Sequence, residues 1–79
     1  MLTVKISKLD PESVLDPHNL VWLRRRIGVP LQVLSITYTH KDPELFSVSV
    51  LKRTKPEVEI ITIFVFGNNT ELVLEGDLQ

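Results

Sequence analysis

Residues 57–66 read Glu-Val-Glu-Ile-Ile-Thr-Ile-Phe-Val-Phe. Side chains of a strand alternate between its two faces, so Val58, Ile60, Thr62, Phe64 and Phe66 share one face. Glu57, Glu59, Ile61, Ile63 and Val65 share the other. The first set holds the aromatics that can meet Phe46 and Tyr38, and it is assigned to the core. That leaves Ile61, Ile63 and Val65 on the outer face, where Val73 joins them if Leu72 and Leu74 of the next strand point inward. A strand apolar on both faces belongs to a sheet covered on both sides. This chain offers one helix to do the covering. The outer face therefore either packs on a second copy or a partner, or is shielded by curvature that partly closes a barrel.

Working outward from this strand, the other elements follow. Thr54-Lys55-Pro56 turns the chain back from a strand in which Phe46, Val48 and Val50 alternate with Ser47 and Ser49. The turn His40-Lys41-Asp42-Pro43 precedes it. Before that, Leu34, Ile36 and Tyr38 alternate with Ser35, Thr37 and Thr39, and Leu2, Val4 and Ile6 open the chain in the same period. Gly67-Asn68-Asn69 leads into Leu72 and Leu74. Asp10-Pro11 and Asp16-Pro17 are helix-start signals, a capping Asp followed by Pro at the first helical position. A short turn and then a main helix over Pro17–Ile27 are expected, stopped by Gly28 and Pro30. The order β-α-β-β-β-β gives an α+β fold, a single helix packed on a mainly antiparallel five-stranded sheet, or a partly closed small barrel. Short loops suggest an antiparallel meander, and the helix-bearing link is long enough for a crossover beside a parallel neighbour.

Composition agrees with this reading. The 79 residues form one domain, 1–79, and they contain no alanine but ten valines, six isoleucines and six threonines. Such β-branched side chains lose rotamer freedom in a helix and pack well on a pleated sheet. With 43% apolar residues and a net charge of −1, the chain is neither disordered nor generally basic. The absence of cysteine removes disulfides, thiol chemistry and cysteine-based zinc sites. A core of this size supplies roughly 3–5 kcal/mol of net stability, so self-association or a partner is the expected source of further burial. Met1–Leu9 alternates instead of forming the apolar run of a signal peptide, and the apolar run Ile60–Phe66 is too short for a membrane helix. A soluble cytoplasmic protein with no membrane partner is expected.

On a helical wheel of about 100° per residue, Leu20, Leu23 and Ile27 fall within about 60° of one another, while Trp22 falls roughly opposite. Arg25 and Arg26 flank Trp22, and Arg24 snorkels from the edge of the buried stripe. Trp22 reads as an interface anchor, as a ring lying under Arg25 or Arg26 in a cation–π pair, or as a ring tucked against Val14-Leu15. Arg24, Arg25 and Arg26 read as a contact for nucleic acid or an acidic partner.

Constellations for catalysis are missing. Asp16-Pro17-His18 is explained by capping, and His40-Lys41-Asp42 by turn chemistry. The three glycines are isolated and form no phosphate-cradling loop. Glu57 and Glu59 are expected to face Lys52, Arg53 and Lys55 as surface ion pairs. No catalytic residue, cofactor, metal ligand or small-molecule substrate is assigned. The expected function is non-enzymatic: a protein-binding or assembly module, a homodimer or small subunit of a complex, using Ile61, Ile63, Val65, Val73 and Trp22. The competing class is a small nucleic-acid-binding regulator using the arginine helix. Charge is unevenly placed, with all nine basic side chains before residue 56 and five acidic ones, without a basic one, from residue 56 on.

Overall fold

A computed structural model describes residues 1–38, 45–54 and 56–76. The turn at His40–Pro43 and Lys55 lie outside the described residues. Five strands form one sheet: β1 (Thr3–Lys8), β2 (Leu31–Tyr38), β3 (Leu45–Arg53), β4 (Val58–Phe66) and β5 (Glu71–Glu75). Their order across the sheet is β4-β3-β2-β1-β5, and every neighbouring pair is antiparallel. One α-helix, α1 (Pro17–Arg24), follows a 3₁₀ turn at Pro11–Ser13. The α+β class and the element order are those expected, and the sheet is open, not closed into a barrel. The link carrying α1 joins an antiparallel pair, so the parallel crossover is not used.

The sequential meander holds over β2, β3 and β4 and breaks at β5. β5 pairs with β1, at the far edge from β4. Four antiparallel steps separate β4 from β5, so the two run in the same sense. In a flat sheet the end of β4 and the start of β5 would lie at opposite ends, about 19 Å apart across the strands alone. Residues 67–70 join them, a reach of at most about 18 Å. The sheet must therefore twist and coil strongly. It does so where β1 meets β2, which pair at Thr3–Gln32 and Val4–Leu31, with the Val33 N–H donating to the Leu2 carbonyl at 2.9 Å. Beyond that corner β1 follows β5, and β2 follows β3.

The Pro11–Ser13 turn packs against β4 and is clasped to the β4–β5 link by polar contacts. Ser13 is fully buried, its hydroxyl 2.6 Å from the Thr70 hydroxyl, and it accepts from Asn68 Nδ2 at 2.6 Å. The Asp10 N–H donates to Thr70 Oγ1 at 2.8 Å. Both expected caps are present: Asp10 accepts from the Glu12 N–H and Asp16 from the His18 N–H. The helix ends at Arg24, short of Ile27. The Arg26 N–H bonds back to Leu23 at 2.9 Å in a tightened turn, and Gly28 adopts φ +80°, a conformation that favours glycine. The Gly28 N–H donates to the Ile6 carbonyl, tying the helix exit to β1. Ile27 has thus left the helical wheel, and it is exposed.

The buried apolar set is aliphatic: Val4, Ile6, Val14, Leu23, Leu31, Val48, Val50, Ile61 and Ile63. This inverts the expected assignment of β4. Ile61 and Ile63 are 2% and 0% exposed, whereas Val58, Ile60, Phe64 and Phe66 are 59%, 63%, 36% and 39% exposed. The cause is register. β3 and β4 pair Arg53 with Val58, Val50 with Ile61 and Val48 with Ile63, and directly opposed residues share a face. Once Val48 and Val50 point inward, Ile61 and Ile63 must follow. Val65 is half-buried on that same inner face. The β2 alternation also slips. A bulge between Val33 and Ser35 leaves Leu34 exposed and puts Leu31, Val33 and Ile36 toward the core. Tyr38 is exposed, its ring 5.7 Å from that of Phe46.

Candidate functional site

Two surfaces stand out: the first differs from the association face expected, and the second contains Trp22, Arg25 and Arg26 of the expected helix surface. The first is the outer face of β3 and β4. Register places Leu45 beside Phe66, Ser47 beside Phe64, Ser49 beside Thr62, Leu51 beside Ile60 and Arg53 beside Val58. Apolar pairs thus lie on both sides of a central hydroxyl pair, Ser49 and Thr62, whose oxygens are 3.5 Å apart. The association face expected from Ile61, Ile63 and Val65 is therefore replaced by its mirror set on the same strand. Val73 is exposed, but it pairs with Lys5 on the β1–β5 ribbon, at the opposite edge from β4. It does not join the β4 face.

The second surface is an open groove of about 660 Å³ between α1 and the end of β3, lined by His18, Val21, Trp22, Arg25, Arg26, Val29, Lys52 and Thr54. A smaller groove of about 240 Å³ continues from it past Trp22, Arg26 and Val29 to Gln32, Leu51 and Arg53. Trp22 is not opposite the core. It is half-buried and packs against the core cluster, because Leu23 is the most buried position of α1 and Asn19 and Trp22 lie beside it. The Arg26 guanidinium lies 3.9 Å over the Trp22 ring and donates to the Trp22 carbonyl at 2.9 Å. Trp22 is thus the cation–π partner that one sequence reading proposed.

Lys52 is the residue that sequence patterning missed. It points inward under α1, its Nζ 3.1 Å from Asn19 Oδ1, 3.6 Å from Glu59 Oε2 and 5.9 Å from the Trp22 ring. Its signal was its place in the Phe46-Val48-Val50 alternation, whose next inward position it occupies. The three arginines do not act as one patch. Arg24 lines neither groove, Arg25 lines the larger one, and Arg26 lines both. Ion pairs among the described residues tie Lys5 to Glu75, Lys8 to Glu71 and Lys52 to Glu59, and none involves an arginine.

Among the described residues, no three His, Asp or Glu side chains are grouped so that they could hold a metal ion. No helix is long and apolar enough to cross a membrane. Comparison with protein-family models, with curated proteins and with solved structures returned no match.

Proposed function

We propose that this chain is a non-enzymatic assembly module that associates with a second copy of itself through the outer face of β3 and β4. The observation that supports this is the exposure of Val58, Ile60, Phe64 and Phe66 along one face of a single strand. Monomeric proteins rarely leave contiguous apolar patches of more than a few hundred Å² in water. The arrangement also suits a copy of itself. A two-fold axis through the Ser49–Thr62 pair would carry Leu51 and Ile60 of one chain onto Phe64, Phe66 and Leu45 of the other. Such an interface is isologous and closes at two copies. The hydroxyls at its centre can exchange hydrogen bonds across the axis.

Light scattering tests this directly. The expected mass is twice the 9.0 kDa of one chain. Ile60→Glu should halve it while the far-ultraviolet circular dichroism stays unchanged. Ile63→Glu, by contrast, should unfold the protein, since it buries a carboxylate in the core. A wild-type chain that stays monomeric at millimolar concentration overturns the proposal.

A further inference from the structure

We propose that the groove between α1 and the end of β3, with its continuation past Trp22, binds the backbone of single-stranded nucleic acid. Charge is the first argument. Arg25 and Arg26 line the larger groove and Arg53 the smaller, Lys52 being buried and paired with Glu59, and neither groove is lined by a carboxylate among the described residues. Among the described residues the arginines form no ion pair, whereas both β1 lysines of the ribbon are paired. Guanidinium groups present forked donors that match phosphate oxygens.

Shape is the second. The two grooves share Trp22, Arg26 and Val29, so they form one track with Arg26 at its middle, Arg25 on one side and Arg53 on the other. A track with spaced cations fits a chain of phosphates better than a single ion. Apolar walls at Val21, Val29 and the edge of Trp22 offer surface against which bases can lie.

Pre-organisation is the third. Arg26 is held by the Trp22 ring and the Trp22 carbonyl, and Lys52 by Asn19. Both therefore lose less side-chain freedom on binding than free surface cations would.

Trp22 is the single tryptophan of the chain, so its fluorescence reports on the groove without a label. Titration with oligothymidylate at low salt should quench or shift that emission. The logarithm of affinity should fall with the logarithm of salt concentration at a slope of about −2 to −3, as expected for three or four phosphate contacts. Arg25→Ala/Arg53→Ala, which leaves the Arg26–Trp22 stack in place, should flatten the slope by about 1.4. The same variant should weaken binding at low salt while its circular dichroism stays that of the wild type. Three results each overturn the proposal: no fluorescence response at low salt, unchanged binding by the double variant, or equal or tighter binding of poly-glutamate or of duplex DNA. Phe66→Glu, at the end of the association face away from Leu51 and Arg53, should bind oligothymidylate with its fluorescence response intact, which separates this site from the association face.

Discussion

At the scale of single residues, Ser13 carries more than its size suggests. Its hydroxyl meets both Thr70 and Asn68 in a fully buried setting. Ser13→Ala leaves those groups short of a partner, and an unsatisfied buried polar group costs about 1–3 kcal/mol. A loss of that order in urea-unfolding free energy is expected, and a double-mutant cycle with Thr70→Val should show the two changes to be strongly non-additive. Lys52 teaches a different lesson. Of the surface ion pairs expected between Glu57, Glu59 and the cations of β3, the structure has Lys52 with Glu59 at 3.6 Å, and Lys52 is buried, not on the surface. Opposed residues share a face, so that pair already places Ile61 and Ile63 on the face of Val48 and Val50. The aromatic content of the other face pointed the opposite way. Register is the stronger constraint, because one short turn fixes it for every residue of both strands.

At the scale of elements, the β-branched runs made all five strands legible, and the Asp-Pro signals made both helical starts legible. The ends were not. α1 stops where the Leu23 carbonyl takes a tightened bond from Arg26 and Gly28 turns left-handed to reach Ile6. That stop depends on a strand more than twenty positions earlier, which a local pattern does not contain. The early stop also removed Ile27 from the buried stripe, which centres on Leu23 with Trp22 beside it. α1 is short, so its first-turn cap matters. Asp16→Ala removes the acceptor of the His18 N–H and should cost about 0.5–2 kcal/mol, read as a lower thermal midpoint.

At the scale of the whole molecule, the sequence showed how many strands there are but not who sits beside whom. Nothing local marks β5 as the neighbour of β1, because that pairing spans nearly the full chain. It is nonetheless where the charge asymmetry resolves: the β1 lysines, Lys5 and Lys8, meet the β5 glutamates, Glu75 and Glu71. Among the described residues, what stays without an ion-pair partner is the arginine track, and what stays exposed is the β3–β4 face. The two meet at Leu51 and Arg53, which lie on the outer face of β3 and also line the smaller groove, so an assembled pair would bring its two tracks to the margins of the interface.

The pairing of Thr3 with Glu75 also has a consequence in time. Contacts between residues this far apart in sequence form late, because closing the intervening loop costs entropy before the contact returns anything. The three-stranded sheet of β2, β3 and β4 is local and has no such delay. A chain truncated after Thr70 should therefore collapse around Val48, Val50, Ile61 and Ile63 yet leave β1 without its edge partner. Its β1 amides should exchange with solvent far faster than those of β3, while in the full chain both sets should be protected. During synthesis β1 emerges before β5 and has to wait for it.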